Sequence, residues 1–272
     1  MQGPSRTALG VAIHRAVHQI SEGGRIFADP FARPILGPDA DTLIARRPAA
    51  DHRNMRLFVA VRSRFAQDSL AAAMARGVRQ VVVLGAGLDT TALRNPGLLT
   101  FEVDHPATQD WKRRQLGLMG IALPEGLRFA PVDFEHQVIS DGLAEAGFDA
   151  AKPAFFIWLG VAPYLTRDAI QATLAFVASL PGSEIAFDYS EPPENYPPKQ
   201  RKYILALAER VAQLGEPFRS HFDPAQMAAV LKSSGFEEME DLGPREIGAR
   251  FFNRKIQRGR AGGHVVLARR SA

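Results

Sequence analysis

The strongest constraint on the fold is a short, wholly apolar run. Residues 81–84 read Val-Val-Val-Leu and are followed at once by a glycine loop, Gly85, Ala86 and Gly87. A continuous β-branched run predicts a strand buried on both faces, which is typical of parallel sheets. Because parallel strands are joined by crossover connections that usually contain a helix, we expect the chain to alternate strands and helices.

The rest of the sequence follows this alternation. A helix with one apolar face is predicted before the run, at residues 55–76. Repeated strand–helix units predict right-handed βαβ crossovers around a central parallel sheet. Thr166 and Asp223 are expected to be helix N-caps. The further strands are predicted at 99–104, 128–132, 154–159, 183–189, 236–242 and 264–268, and the further helices at 106–119, 134–146, 167–179, 199–214 and 224–234.

Two segments are expected to cover the sheet. Residues 1–55 contain prolines at a density that allows only short helices between turns, so we predict an N-terminal cap there and a main domain over 56–272. Residues 191–198 are rich in proline and precede the helix predicted at 199–214. We therefore predict that 190–220 is an inserted lid, and that both segments close over the functional site.

Composition excludes several classes of function. The 272 residues include no cysteine, so cysteine nucleophiles, thiolate metal ligands and disulfides are absent. No metal site is predicted among the seven histidines. Apolar runs are far shorter than the about 20 residues that a membrane span needs, and residues 1–20 do not resemble a secretory signal. We expect a soluble, cytoplasmic protein without a membrane partner.

The charge balance gives little support to a nucleic-acid partner. The 33 basic side chains exceed the 29 acidic ones by only four. Arg250, Arg254 and Arg258 are spaced to lie on one helical face, where they would form a stripe able to bind phosphates. A solvated basic face is the simpler interpretation, and nucleic-acid binding is kept as an alternative.

Several predicted strands end in residues suited to a ligand. In open α/β sheets, ligands bind at the carboxyl ends of the strands. Gly85 and Gly87 allow a ligand to approach the backbone closely, and Asp104 can accept hydrogen bonds from both hydroxyls of a ribose. Asp133 follows the third strand, and the segment 160–164 follows the fourth. These ends predict a nucleotide-like ligand.

A glycine loop with an acidic residue about 20 positions later is shared by dinucleotide-binding and S-adenosylmethionine-binding folds. The third glycine of the dinucleotide fingerprint falls at position 90, which is Thr90. Tyr164 and Tyr189 have no lysine four residues on, so a Tyr-x-x-x-Lys catalytic pair is missing as well. An NAD(P)-dependent oxidoreductase is therefore an alternative that these residues disfavour.

Five segments together resemble the bacterial branch of the leucine carboxyl methyltransferase family. The resemblance as a whole extends from about residue 25 to the final strand. Its most specific motif is Gly-Ala-Gly-Leu-Asp-Thr at 85–90. The resemblance implies a class I methyltransferase (Rossmann-like) fold, with seven mostly parallel strands and an antiparallel last strand. The segments are 27–31 (Phe-Ala-Asp-Pro-Phe), 62–68 (Arg-Ser-Arg-Phe-Ala-Gln-Asp), 82–90, 101–106 (Phe-Glu-Val-Asp-His-Pro) and 131–134 (Pro-Val-Asp-Phe).

The resemblance also implies S-adenosylmethionine as the cofactor and S-adenosylhomocysteine as the product. Gly85, Ala86 and Gly87 would approach the methionine part of the cofactor. Asp104 would hold the ribose hydroxyls. Arg64 would meet the carboxylate, a charge-assisted contact.

The resemblance further implies contacts for the adenine ring and for the methionine end of the cofactor. Asp133 would accept a hydrogen bond from the adenine amino group, and Phe134 would pack beside the ring. Many relatives have a glutamate at the position of Leu159, where it would contact the methionine end of the cofactor. Because this glutamate is absent, the alternative that the chain binds the cofactor without catalysing a reaction stays open.

The expected reaction is methyl transfer to a carboxylate or hydroxyl oxygen of a small-molecule acceptor. A carboxylate is nucleophilic without a base, whereas a hydroxyl needs one. Tyr164 and His221 are the candidate catalytic residues for that role. Methylation of RNA is kept with nucleic-acid binding as an alternative.

Overall fold

The computed structural model describes residues 5–46, 52–132, 138–213, 215–254 and 261–270. Within these ranges the chain forms ten helices, seven strands and short 3₁₀ turns. The helices are α1 Arg6–Ser21, α2 Ala40–Ala45, α3 Arg53–Ala75, α4 Thr91–Arg94, α5 Pro106–Leu118, α6 Ile139–Glu145, α7 Arg167–Ser179, α8 Pro198–Gln213, α9 Pro224–Ser234 and α10 Pro244–Phe252. The strands are β1 Gln80–Leu84, β2 Leu99–Asp104, β3 Leu127–Pro131, β4 Ala154–Trp158, β5 Glu184–Ser190, β6 Glu238–Leu242 and β7 Gly263–Arg269.

The seven strands form one sheet with the order β3-β2-β1-β4-β5-β7-β6. The pairs β1/β2, β2/β3 and β4/β5 are parallel, whereas β7 runs antiparallel to both β5 and β6. All residues of β1 and β4 are buried, as expected for strands covered on both faces. The predicted seven-stranded, mostly parallel sheet with an antiparallel last strand is confirmed.

The chain divides into two compact units. The first comprises residues 1–64 and 79–149 and carries β1, β2 and β3. Its N-terminal segment is part of its core, because apolar side chains of α1 such as Ile13 and Val17 pack in one cluster with Leu88, Leu93 and Leu116. The burial of such side chains is the main force that holds α1 to this unit.

The second unit comprises residues 65–78 and 150–272. Here β5 pairs with β4 on one side and with β7 on the other, so that Phe187 lies opposite Trp158 and Val266. These three side chains are at most 2% exposed. The centre of this unit is therefore an apolar sheet, and polar groups are placed at the ends of its strands.

Local signals predicted several elements accurately. Helix α7 has the predicted bounds, and the Thr166 side chain accepts a hydrogen bond from the N–H of Ala169. Helix α9 also has its predicted bounds, with a capping box between Asp223 and Gln226 and a left-handed Gly235 after its end. These signals work because cap hydrogen bonds join residues close in sequence.

The N-terminal segment differs from its prediction. Residues 1–55 were expected to hold only short helices, but α1 has 16 residues. The prediction was wrong because the prolines are not evenly spread: none occurs between Pro4 and Pro30. That gap is long enough for α1, whose N-cap Ser5 accepts from the N–H of Ala8. The cap domain at 1–55, as a separate body that closes over a site, stays a prediction.

The arginine stripe also differs from its prediction. Helix α10, which the sequence pattern did not reveal, ends at Phe252, and Asn253 after it has a left-handed φ of 49°. Arg254 therefore lies beyond the helix, and the prediction that it shares a helical face with Arg250 is wrong. Arg258 lies outside the described residues. Arg250 pairs with Glu240 at 3.1 Å.

The inserted segment contains the predicted helix. Helix α8 follows a short 3₁₀ turn at Pro193–Asn195, and most of its residues are exposed. Closure of the segment 190–220 over a site stays a prediction. Of the helix expected at 134–146, the structure shows α6 at Ile139–Glu145, and residues 133–137 lie outside the described ranges.

Candidate functional site

The glycine loop after β1 has a backbone that side chains rarely allow. Gly85 and Gly87 have φ angles of +62° and +50°, in the left-handed region. A Cβ on Gly87 would also lie 3.1 Å from the Cβ of Ala8 in α1. The N–H of Ala86 bonds to the carbonyl oxygen of Val103 at 3.0 Å, which joins the loop to β2. Both glycines are therefore favoured by their backbone conformation, and a side chain at Gly87 would also crowd Ala8 of α1.

Asp104, at the end of β2, binds the backbone of this loop. One carboxylate oxygen accepts from the N–H of Gly87, and the other accepts from the N–H of His105 at 2.7 Å. Burial raises the pKa of Asp104, and the two backbone donors oppose that rise. The carboxyl is only partly buried, and each oxygen has a lone pair left over for a further donor such as a hydroxyl.

A buried ion pair lies beneath the loop, and sequence reasoning missed it. Lys112 of α5 and Glu102 of β2 are each 1% exposed, and the Lys112 Nζ lies 2.6 and 2.7 Å from the two Glu102 carboxylate oxygens. The same Nζ donates to the carbonyl oxygen of Asp89 at 2.6 Å. Burial raises the pKa of Glu102, and the Lys112 charge opposes it. A glutamate between Phe101 and Val103 in a buried strand was the available signal.

The N-terminal segment also reaches the loop. Arg15 of α1 donates to the carbonyl oxygen of Leu88, and its guanidinium lies 3.8 Å from the carboxylates of both Asp29 and Asp89. Asp29 in turn accepts from the Thr90 hydroxyl at 2.8 Å. Asp29 and Thr90 fall within two of the segments that carried the resemblance, but their contact was not foreseen, and Arg15 was missed.

Asp89 shows the electrostatic effect of this arrangement. Burial by itself would raise the pKa of its carboxyl, but the charges of Arg15, Arg94 and Lys112 hold that pKa below its ordinary value. The carboxylate also accepts from the N–H of Thr91 at 2.6 Å. The loop is thus held by cations on several sides.

The local structure disfavours a dinucleotide. Dinucleotide sites place the pyrophosphate at the start of a helix that packs tightly on the strand through the third glycine. Here α4 has four residues, and the third-glycine position holds the fully buried Thr90, whose hydroxyl bonds to Asp29. Both features weigh against the oxidoreductase alternative.

Three predicted cofactor residues are not placed at the loop by the described contacts. Arg64 of α3 is exposed, and its guanidinium lies 3.4 Å from the carbonyl oxygen of Ile26. Asp133 and Phe134 lie outside the described residues. The roles assigned to these three stay predictions.

In the second unit, the structure brings the two candidate catalytic residues to one aromatic cluster. The rings of Tyr164 and Phe218 are 5.3 Å apart, and those of Phe218 and His221 are 6.2 Å apart. The His221 Nδ1 lies 3.1 Å from the Ser190 hydroxyl. Burial lowers the pKa of His221, which outweighs the opposing charge of Glu194. The lowered pKa favours the neutral form of the His221 imidazole.

The loop after β4 is fixed by a buried carboxylate that sequence reasoning also missed. Asp188 of β5 is 3% exposed and accepts from the N–H of Gly160 at 2.6 Å. Gly160 has a φ of +71°. Leu159, which stands where many relatives have a glutamate, lies directly after β4 and is half-buried. The neighbourhood of Leu159 is thus held by Asp188.

A second polar group lies at the carboxyl end of β5. His264 of β7 contacts Asp241 through Nδ1 at 2.7 Å and Glu191 through Nε2 at 3.2 Å. Tyr189 donates to Asp241 at 2.6 Å and stacks on the His264 ring. The N–H of Gly262 donates to Glu191 at 3.0 Å. Burial alone lowers the pKa of His264, but the two carboxylates raise it above its ordinary value.

Within the described ranges, no three His, Asp or Glu side chains are grouped so that they could hold a metal ion. In the same part of the chain, each helix is too short or too polar to cross a membrane.

Comparisons with known proteins point in one direction. The sequence profile of leucine carboxyl methyltransferase matches residues 8–178. The proposed S-adenosyl-L-methionine-dependent methyltransferase YktD of Bacillus subtilis is 38% identical over 186 residues, which are 66% of this chain and 61% of YktD. A proposed methyltransferase of the same description from Mycolicibacterium paratuberculosis is 34% identical over 260 residues, 87% of this chain and 78% of that protein.

The match spans less than two thirds of the length of YktD. Among solved structures, a DUF574 family protein from Streptomyces avermitilis aligns with a TM-score of 0.55 over 96% of this chain and 97% of its own. At 15% identity this likeness concerns the fold alone. The sequence matches therefore bear on the family, and the structural match bears on the architecture.

Proposed function

The chain belongs to the leucine carboxyl methyltransferase family, and we propose on that premise that it is an S-adenosylmethionine-dependent methyltransferase acting on an oxygen of a small molecule. The observation that carries the proposal is the loop at Gly85–Gly87 with Asp104 bound to its backbone, at the ends of β1 and β2. The relatives at 34% and 38% identity bear names that give the same cofactor.

The residues of the first unit fit this cofactor. Gly85 has no side chain and is half-buried, so we propose that the methionine part approaches the loop there, whereas Gly87 is buried against Ala8 of α1. Asp104 keeps carboxylate lone pairs for two ribose hydroxyls. Arg64 is proposed to bind the methionine carboxylate, a pairing that is charge-assisted. Asp133 and Phe134 are proposed to hold the adenine.

The chemistry needs little covalent help from the protein. When bound, S-adenosylmethionine supplies a methyl group that its sulfonium makes electrophilic, so an acceptor oxygen can displace S-adenosylhomocysteine. What the chain's residues contribute is alignment of the acceptor with that methyl group and exclusion of water. Such alignment can lower a barrier by about 7 kcal/mol or more.

We assign the acceptor side to the aromatic cluster of Tyr164, Phe218 and His221. In the tautomer whose Nδ1–H donates to the Ser190 hydroxyl, Nε2 of His221 is the nitrogen that can accept a proton. A neutral imidazole in this state can serve as a base toward an acceptor hydroxyl. Tyr164 is proposed to orient the acceptor through its ring and hydroxyl. A carboxylate acceptor would use the same cluster for orientation alone.

Titration calorimetry with S-adenosylmethionine, S-adenosylhomocysteine and NADPH in parallel tests the cofactor. We expect the first two to bind and NADPH to give no heat. Binding of NADPH alone would refute the methyltransferase proposal. Absence of heat from all three ligands would do so too, and would direct attention to Leu159 as the lost contact.

A screen of small hydroxyl and carboxylate compounds with methyl-labelled cofactor then tests the acceptor. With a hydroxyl acceptor, His221→Gln should lower turnover by about 100-fold or more, because it removes the base. With a carboxylate acceptor, the same variant should leave turnover nearly unchanged. Unaltered affinity for S-adenosylhomocysteine is the control that the variant remains folded. Equal turnover by His221→Gln on a hydroxyl acceptor would overturn the assignment of the base.

A further inference from the structure

We propose that Arg15 and Asp29 of the N-terminal segment are positioning residues for the cofactor loop. They act through Leu88 and Thr90 and hold Gly85–Gly87 in the shape that S-adenosylmethionine requires. This inference rests on the proposed cofactor site and adds to it residues that no part of the sequence pattern had linked to binding.

The geometry places the loop between two sets of contacts. On the β2 side, Asp104 accepts from the N–H of Gly87. On the N-terminal side, Arg15 donates to the carbonyl oxygen of Leu88, and Asp29 accepts from the hydroxyl of Thr90 at 2.8 Å. The carbonyl group that is held belongs to Leu88, directly after Gly87, and the hydroxyl group belongs to Thr90, three residues after Gly87. Their contacts limit the rotations left to Gly87, which has no side chain to restrict it.

Docking of α1 does not by itself require these charges. Ala12, Ile13 and Val17 of α1 already pack against Leu88 and Leu93 in an apolar cluster. Buried ion pairs add little net stability over apolar side chains of the same size, because removing charges from water is costly. The role of the Arg15–Asp29 pair is therefore not mainly to stabilise the fold. Its contacts with Leu88 and Thr90 fix the loop.

The cost of burial at this pair is visible in its contacts. The Asp29 side chain is fully buried, and that of Arg15 is 6% exposed. The Nε of Arg15 is buried and makes no hydrogen bond within the described residues, although its distance to the Asp29 carboxylate is 3.8 Å. An arrangement optimised for stability would satisfy this donor. The guanidinium is instead oriented toward the Leu88 carbonyl, which favours a positioning role.

A matched pair of threonines allows a direct test. Thr90 and Thr100 are both fully buried in the same unit. The Thr90 hydroxyl donates to Asp29, whereas the Thr100 hydroxyl is without a hydrogen-bond partner among the described residues. Replacing either by valine removes one buried hydroxyl, but only Thr90→Val cuts the connection from Asp29 to the loop.

The measurement is the Kd of S-adenosylhomocysteine by titration calorimetry, at a temperature where circular dichroism shows each variant folded. We expect Thr90→Val to weaken binding about fivefold or more, because it removes the hydrogen bond that the hydroxyl donates to Asp29 and the one that it accepts from Arg94. Thr90→Ser retains the hydroxyl and should restore affinity to within about twofold. Thr100→Val should bind as the wild type does.

The outcomes separate this inference from the cofactor proposal. If the wild type binds S-adenosylhomocysteine and Thr90→Val binds equally well, the positioning role is refuted while the cofactor site stands. Equal weakening by Thr90→Val and Thr100→Val would mean a general effect of core substitution and would refute it too. If the wild type does not bind the ligand, the cofactor proposal fails and this inference fails with it.

Discussion

Two polar regions of the molecule hold the ends of its strands in different ways. At the glycine loop after β1, the cations are Arg15 and Lys112, and they contact backbone carbonyl oxygens as well as carboxylates. At the end of β5, the cation is His264, placed between Asp241 and Glu191. The first region uses a guanidinium and an ammonium group, and the second uses an imidazole, a group whose ordinary pKa is about 6.5.

Because of this difference, we expect pH to change the stability of the two regions in opposite directions. Because the pKa of Asp89 is lowered, its contribution to stability is present at neutral pH and is lost as the pH falls into the acid range. Because the pKa of His264 is raised, its contribution is complete below its unfolded pKa of 6.5 and is lost as the pH rises through the folded pKa. The interactions of Asp89 at the loop are thus weakened as the pH falls, and those of His264 at the end of β5 are weakened as the pH rises.

The largest expected effect comes from breaking the ion pair beneath the loop. Lys112→Met leaves the Glu102 carboxylate buried without its partner and should lower the free energy of unfolding by about 3–5 kcal/mol. The double variant Glu102→Leu/Lys112→Met should recover most of that loss, because no charge is left unpaired. Urea unfolding measures both.

The exposed pair Arg33–Asp41 in the same unit is the control for Lys112. Arg33→Gln should leave the unfolding midpoint unchanged, since solvent screens an exposed pair. If Arg33→Gln and Lys112→Met destabilise the protein equally, burial is not what makes the Glu102–Lys112 pair important.

The second region is tested with His264→Gln. At pH 6 this variant should unfold about 1.5–3 kcal/mol more easily, because it removes charged hydrogen bonds to Asp241 and Glu191. The deficit should shrink from pH 6 to pH 9 as the wild-type imidazolium loses its proton. Unfolding free energies of both proteins over that range give the difference.

The other histidines are present in both the wild type and His264→Gln, so the difference between the two unfolding free energies cancels their contributions. His18 and His221 have lowered pKa values, chiefly through burial, so their contributions are lost as the pH falls rather than as it rises. A His264→Gln deficit that stays constant with pH would contradict a charged His264 in the folded protein.

A smaller effect, on binding, is expected for Asp104→Ala. It should weaken S-adenosylmethionine at least tenfold, or about 1.4 kcal/mol, because it removes the proposed ribose contact and the acceptor for Gly87. Asp41→Asn, an exposed carboxyl in the same unit, should bind as the wild type does. Unchanged affinity of Asp104→Ala in titration calorimetry would show that the ribose lies elsewhere.

The smallest effect is expected for Ser190→Ala, which removes a neutral hydrogen bond to His221. The free energy of unfolding should fall by about 0.5–1.5 kcal/mol, less than for His264→Gln at pH 6. Urea unfolding at pH 6 compares the two. If Ser190→Ala proves the more damaging, the hydroxyl supports more of the β5 end than its contact with His221 accounts for.

The predictable parts of the fold are those with local causes. The β-branched run before Gly85 predicted a buried parallel strand, and β1 is buried throughout. Thr166 and Asp223 predicted helix starts because each caps a helix through a residue three positions on. Such signals are complete within a few residues, so the sequence pattern is enough to find them.

The parts that escaped prediction depend on residues distant in the chain. Asp29 and Thr90 are 61 residues apart, and Arg15 and Leu88 are 73 apart. Hydrophobic spacing indicates which face of a helix is buried, but not which strand end its charged residues will meet. Helix α10, of nine residues, was also missed.

By itself, the sequence determined the α/β class, the strand–helix order, the glycine loop and Asp104 as the acid beside it. These follow from local backbone preferences and from the rule that parallel strands end at one edge of a sheet. Only the tertiary structure decided that Arg15 and Asp29 hold that loop, that Lys112 pairs with Glu102, and that His264 lies between two carboxylates. Those contacts are decided by packing, because a charge is stable in the interior only where the fold brings its partner to it.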